Sequence, residues 1–100
     1  MPVSLSFIST LRPKCPYFLA TMTPEEKAVM GQHMAYTRQL FDQGKIVPGG
    51  AATDSAIGII VWSVDSAEEM QRISENDPAV KAGIGYPEFH PFRIGMVAGE

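Results

Sequence analysis

Hydrophobic and polar residues alternate at the beginning of the chain, and a segment without a regular period follows. Val3, Leu5 and Phe7 alternate with serines. A period of two residues is typical of a strand with one buried face, so a strand is predicted over residues 3–11. Residues 12–22 contain two prolines and have no clear period, so they are predicted to form a loop.

Residues 23–44 carry the clearest helical signals in the chain. Thr23 and Glu26 have the spacing of a capping box, Pro24 suits the first helical position, and Gly44 suits the left-handed residue that follows the last turn. One stripe of the helix is apolar except for a histidine, and it consists of Val29, His33, Tyr36 and Leu40. The residues that widen this stripe are Met30, Met34, Thr37 and Phe41.

The remaining segments complete a β-α-β-β-α-β order. Strands are predicted over residues 57–64 and 86–97, and residues 45–52 are predicted to form a short strand that runs into a Gly-Gly bend. A second helix is predicted over residues 66–76, with a connector at 79–85. Ser66 and Glu69 form a second capping-box pattern, and the prolines at 48, 87 and 91 favour edge strands. This order predicts an α+β fold of the ferredoxin-like type, a four-stranded antiparallel sheet with two helices on one face.

The strand at 57–64, IGIIVWSV, is largely apolar on both faces. Two helices cover only one face of a four-stranded sheet, so the other face needs a different cover. We therefore predict a homodimer in which two sheets pack face to face.

Composition narrows the class of protein. The chain has 100 residues and a net charge of −3, so one domain over residues 1–100 is expected, and no Lys/Arg cluster points to nucleic acid or to a membrane. Cys15 is the only cysteine, and His33 and His90 lack zinc-ligand spacing. With no convincing signal peptide, we expect a cytoplasmic domain, and the residues contain neither a zinc-ligand spacing nor a dinucleotide-binding motif.

Two polar residues occupy positions where a helix stripe calls for an apolar one. His33 lies on the first stripe, and Asp77 follows Met70 and Ile73 on the second. Taken alone, each is more often a satisfied core histidine or a helix-end turn. Both helices lie on one sheet face, so the two side chains can meet. A carboxylate on one imidazole nitrogen leaves the other to act as general base or acid, so we predict His33 and Asp77 as a catalytic pair.

Three further residues are candidates for binding a substrate. Arg12 can hold an anionic group, Tyr36 shares the stripe of the histidine, and Gly50 in a predicted Gly-Gly bend lets a ligand approach the main chain. His90 is interpreted as a packing residue between aromatic side chains. Cys15 has no neighbouring base in the sequence and is interpreted as incidental.

The segments around these residues resemble the YciI-like (YCII-related) family over about residues 4–93. The likeness is carried mainly by His33 and by DPAVKAG at 77–83, with GKIV at 44–47 and HPF at 90–92. It implies a dimeric α/β barrel built on a ferredoxin-like protomer, with His33 and Asp77 in the active site. Relatives in the family or fold include a dehydrochlorinase and muconolactone isomerases, which implies metal-free proton transfer on a small cyclic or aromatic compound.

Three classes of function remain open from the sequence. The leading hypothesis is a small cofactor-independent lyase or isomerase in which Asp77 orients His33. A second is a module that binds a small ligand without converting it, and a third is a purely structural role for the pair. A cofactor-free monooxygenase on the same barrel has only the fold in its favour.

Overall fold

The computed structural model describes residues 5–54 and 57–96. The strands are β1 (Leu5–Pro13), β2 (Ile46–Ala51), β3 (Gly58–Val64) and β4 (Gly85–Pro91), and the helices are α1 (Phe18–Thr21), α2 (Pro24–Asp42), α3 (Ala67–Glu75) and α4 (Pro78–Lys81). The strands form one antiparallel sheet in the order β2-β3-β1-β4, which confirms the predicted α+β, ferredoxin-like arrangement. Positions 3, 4 and 97 of the predicted strands lie outside the described residues.

The structure differs from the prediction at several element boundaries. β1 continues to Pro13 because β4 pairs with it to that point. Within the predicted loop, α1 forms after Tyr17, which adopts a left-handed conformation with φ 61°. α4 covers the beginning of the predicted connector at 79–85, because Asp77 caps this helix and Pro78 occupies its first position. β4 ends at Pro91, which pairs near the start of β1, so little of the partner strand remains.

The predicted limits of the first long helix are confirmed. Thr23 Oγ1 accepts a hydrogen bond from the Glu26 N–H at 3.1 Å, and Glu26 Oε1 accepts one from the Thr23 N–H at 2.9 Å, so both halves of the capping box form. Gly44 follows the helix with φ +80°, a conformation in which a side chain would be strained.

At α3 only half of the predicted capping box forms. Ser66 Oγ accepts from the Glu69 N–H at 3.0 Å, as expected. Glu69 does not return a bond to Ser66, because its Oε1 accepts from the Asp65 N–H at 2.9 Å and its Oε2 accepts from Lys45 Nζ at 2.8 Å. Glu69 thus ties the start of α3 to the residue that precedes β2.

Replacing Glu69 with Gln is expected to lower the free energy of unfolding at pH 7 by about 1 kcal/mol. The Lys45 ammonium, and then the Asp65 N–H, hold the pKa of Glu69 below its ordinary value. A lowered pKa stabilises the folded state above the ordinary pKa, and this contribution is lost as the pH falls through the folded-state pKa. The difference between wild type and variant should therefore shrink below about pH 4. Urea unfolding at several pH values measures the free energy of unfolding of both proteins, and Glu68→Gln at an exposed position is the control. A difference that does not change with pH would contradict this account.

The main core lies between the helices and one face of the sheet. Its buried members are Phe7, Leu40, Ile46, Trp62, Val64, Met70 and Ile73. A second, smaller cluster under the short helices consists of Phe18, Ala79 and Ile84. The register pairs Phe7 with Trp62 across β1 and β3, so residues at odd positions in β1 and at even positions in β3 face the helices.

No described helix packs on the opposite face of the sheet. Ile8 of β1 lies beside Val61 of β3, and Ile59 on the same face is 42% exposed. A single protomer therefore leaves apolar side chains uncovered there. None of the described helices is both long enough and apolar enough to span a bilayer.

Candidate active site

His33 and Asp77 are in direct contact, although 44 positions separate them in the chain. His33 Nδ1 lies 2.8 Å from Asp77 Oδ1 and 2.9 Å from Oδ2. Both side chains are 13% exposed, so water screens the contact only partly. The two residues that the helix stripes pointed inward are thus brought together. Their catalytic role stays a prediction.

The beginning of α4 holds the carboxylate in place. Asp77 is the N-cap residue, and its Oδ1 also accepts a hydrogen bond from the Ala79 N–H at 2.9 Å. A carboxylate can accept several bonds at once, so capping the helix and binding His33 are compatible. The tight turn before Pro78 thereby fixes the position of the acid against α2.

This geometry assigns the tautomer of His33 on chemical grounds. An ionised carboxylate only accepts hydrogen bonds, so Nδ1 must carry the proton that it donates to Asp77. In the neutral ring the lone pair is then on Nε2. Within residues 5–54 and 57–96, Nε2 has no hydrogen-bond partner, so it is available to a ligand.

A mainly apolar cleft of about 630 Å³ lies between α2 and the sheet and reaches the pair. This volume is within the range of small-molecule sites. Met34 and Phe41 line the cleft and are 62% and 48% exposed. The prediction that they widen the buried stripe of α2 is wrong in this respect, because the helix stands away from the sheet along their side and leaves a cleft there instead of core.

Tyr36 lines the cleft with its hydroxyl already engaged. The hydroxyl donates to the Ile73 carbonyl at 2.7 Å. Burial raises the pKa of Tyr36, and the negative charge of Asp77 raises it further, so the phenol is neutral at physiological pH. It can accept a hydrogen bond from a ligand but has no second proton to donate. That Tyr36 binds a substrate stays a prediction, now limited to accepting a hydrogen bond from it.

Arg12 lines part of the cleft, but its side chain lies on the face of the sheet opposite to His33 and Asp77. Along β1 the side chains of Phe7 and Ser9 face the helices, so Arg12 falls on the opposite face, where it pairs in register with Tyr86. Arg12 is exposed and forms no ion pair with another described residue. Its predicted contact with a substrate is untested. Arg38, which sequence reasoning missed, lines the cleft with a cation one helical turn beyond Met34.

Gly50 lies inside β2 and not in a bend as predicted, because the strand continues after a register shift between Ile46 and Gly49. A Cβ atom at Gly50 would meet no atom within 4 Å, whereas one at Gly49 would lie 3.3 Å from the Ile60 side chain. Packing within the protomer therefore does not require glycine at position 50. Its role toward a ligand stays a prediction.

Two further cleft residues were missed at the level of sequence. Trp62 Nε1 donates a hydrogen bond to Ser9 Oγ at 2.7 Å, and both residues line the cleft. A signal was present, because Ser9 continues the alternation of Leu5 and Phe7 and so is a polar residue in an apolar slot. The same criterion identified His33 and Asp77.

The other titratable candidates lie apart from this site. His90, expected to pack between aromatic rings, is exposed, and its Nε2 lies 3.4 Å from Glu88 Oε1. Cys15 is a partly buried free thiol. The described part of the chain contains no group of three or more His, Cys, Asp or Glu side chains placed to hold a metal ion.

Comparisons with known proteins identify the family of the chain and a solved structure of similar fold. A family model described as the YCII-related domain matches residues 7–87. Among solved structures, the chain is similar to 5-chloro-2-hydroxyhydroquinone dehydrochlorinase (TftG) from Burkholderia phenoliruptrix AC1100, solved in complex with 2,5-dihydroxybenzoquinone. The TM-score is 0.67 at 22% identity, over 89% of this chain and 95% of that one, a likeness that shows the fold. No curated protein sequence matches the chain.

Proposed function

Because the chain belongs to the YCII-related family and holds a His–Asp pair in an apolar cleft, we propose that it is a small cofactor-independent enzyme. Its reaction would be proton transfer on a small cyclic or aromatic compound, of the lyase or isomerase type. His33 would be the general base and acid, and Asp77 would orient it. The observation that carries the proposal is the engaged Nδ1 of His33 beside an Nε2 without a partner among the described residues.

The chemistry follows from this geometry. Nε2 takes a proton from a substrate carbon, and Asp77 stabilises the imidazolium that forms. The electron pair left on the substrate forms a new double bond. In a lyase reaction the bond to a leaving group breaks and that group departs with its electrons. In an isomerase reaction an adjacent double bond of the substrate opens instead, and His33 returns the proton to the far atom of that bond. In the lyase case the imidazolium then releases its proton to water.

The similar dehydrochlorinase supports this reaction class. Removal of hydrogen chloride is the loss of a proton from one atom and of chloride from another, so it needs a base but no oxidant. The size of the cleft and its apolar lining suit one substituted ring. The similar enzyme is a dehydrochlorinase of 5-chloro-2-hydroxyhydroquinone, which is a substituted ring of this kind.

Two assays test the proposal on the purified protein. One measures chloride release from 5-chloro-2-hydroxyhydroquinone, and the other follows exchange of ring hydrogens of 2,5-dihydroxybenzoquinone in heavy water by NMR. We expect rates above those of the His33→Ala protein, unchanged after treatment with a chelator. Rates no higher than those of His33→Ala in both assays would contradict the proposal. Binding of these compounds without either reaction would favour the ligand-binding alternative.

We also propose that two copies pack through the uncovered face of the sheet. Ile8, Ile59 and Val61 form an apolar row there, and burial against a second copy would remove it from water. The exposed Phe92 and Ile94 beyond β4 add apolar surface. These observations support the homodimer predicted from the strand pattern.

Replacing Ile59 with Lys is expected to weaken this dimer at least about tenfold, because a charge would be buried in an apolar interface. Light scattering coupled to size exclusion should give the mass of two 10.9 kDa chains for wild type and a lower mass for the variant at equal concentration. Ala35→Lys on the exposed side of α2 is the matched control. A wild-type protein that is monomeric at every concentration tested would refute the dimer.

A further inference from the structure

We infer that Ser9 binds the substrate, and that its hydroxyl donates a hydrogen bond to a hydroxyl or carbonyl oxygen on the substrate ring. The inference rests on the proposed function and narrows it to a ring compound that carries an oxygen substituent. It also gives Ser9 a role in specificity, because a ring without that oxygen would leave the donor unpaired.

The hydrogen bond between Trp62 and Ser9 uses the oxygen of the serine as acceptor and leaves its hydroxyl proton free to donate. The indole nitrogen only donates, so at 2.7 Å from Trp62 Nε1 the oxygen of Ser9 is the acceptor. The hydroxyl proton must therefore point in another direction. Residues 5–54 and 57–96 provide no acceptor for it.

The position of Ser9 directs this proton toward the cleft. Strand alternation places Ser9 on the helix-facing side of the sheet, where it lines the same cleft as His33. Its cross-strand partners there are Ile60 and Phe89, and neither side chain can accept a hydrogen bond. Since no residue in the described ranges accepts this hydroxyl proton, a molecule in the cleft can supply the acceptor.

Packing makes Ser9 a rigid donor. Trp62 is 4% exposed and belongs to the main core, so its indole holds the oxygen of Ser9 in one place. A donor fixed in this way loses little conformational entropy when it binds a ligand. In apolar surroundings an unpaired hydroxyl is costly, and a ligand oxygen removes that cost.

A simpler role for Ser9 is to satisfy the buried N–H of Trp62 and nothing more. That role predicts that removal of the hydroxyl lowers the melting temperature and affects all ligands equally. A role in binding predicts that removal of the hydroxyl lowers the affinity only for ligands that carry the ring oxygen. The two roles are therefore separable with a pair of ligands of the same shape.

Hydroquinone and p-xylene form such a pair, because hydroxyl and methyl groups of similar size occupy the same ring positions. Binding of each to wild type, Ser9→Ala and Ser9→Cys is measured by calorimetry under argon, with the fluorescence of Trp62, the only tryptophan, as a second signal. Ser9→Cys keeps the size of the side chain but donates only weakly, so it serves if the alanine variant is unstable. The control is Ser63→Ala, a half-buried serine on the other face of the sheet.

We expect both Ser9 variants to weaken hydroquinone binding roughly 5- to 10-fold and to leave p-xylene binding within about twofold. Ser63→Ala should change neither. Equal losses for the two ligands, no loss for hydroquinone, or no binding of hydroquinone to wild type would overturn the inference. Failure of the proposed function looks different: the Ser9-dependent preference for hydroquinone would persist while chloride release and hydrogen exchange stayed at the level of His33→Ala.

Discussion

Replacing His33 with Ala is expected to lower kcat/KM for the proton-transfer reaction by about 10²–10⁴-fold, the usual contribution of one general base. The reason is that Asp77 binds Nδ1 of His33, which leaves Nε2 of the same ring to act as the base in the cleft. The loss should appear in kcat, because the apolar walls that bind the ring stay in place. Calorimetry with hydroquinone should accordingly show binding close to that of wild type.

His33→Gln is the matched variant for this prediction. Its amide can still donate a hydrogen bond to Asp77, but it cannot take up a proton. It should be as inactive as His33→Ala and nearer to wild type in melting temperature. Added imidazole should restore part of the activity of His33→Ala by occupying the space of the missing ring. Full activity in either variant would end the assignment of His33 as the base.

Replacing Asp77 with Asn is expected to reduce kcat/KM by about 10²–10⁴-fold with little loss of stability. An asparagine oxygen can still cap α4 through the Ala79 N–H, since Asn and Asp are equally good N-caps. Its amide, however, donates a hydrogen bond to Nδ1 of His33 and so favours the tautomer with the proton on Nε2. That tautomer presents a donor where the reaction needs a lone pair.

Asp77→Ala separates the orienting role from the capping role. This variant should lose activity to a similar extent, and it should also lose about 1 kcal/mol of stability because α4 is no longer capped. Kinetics and thermal unfolding on the three proteins provide the comparison. If Asp77→Asn kept most of the activity, or if both variants changed only the melting temperature, the pair would be structural.

Most of the fold follows from short-range patterns in the chain. Thr23, Glu26 and Gly44 mark the ends of α2 through contacts within one helical turn, and the structure places all three in those roles. The period of each segment identifies the four strands and the two long helices. Such signals depend on neighbouring residues only, which is why they can be read without knowledge of the tertiary structure.

The short elements were harder to predict, because distant contacts decide them. α1 follows the left-handed Tyr17, and its first residue, Phe18, is buried in a cluster with Ala79 and Ile84 from the other end of the chain. Glu69 makes only half of its capping box, because its carboxylate also binds the Asp65 N–H and Lys45, which is 24 residues away. No local pattern contains these partners.

The candidate site divides along the same line. The sequence by itself determined that His33 and Asp77 face inward, since helix period and the Asp-Pro boundary are local properties. The tertiary structure alone decided that α2 and α4 bring the two side chains to 2.8 Å, and that Trp62 holds Ser9 across 53 residues of chain. The helical period determines which way a side chain points. The distance between His33 and Asp77, and the absence of an acceptor for the hydroxyl proton of Ser9 among the described residues, depend on how distant parts of the chain pack together.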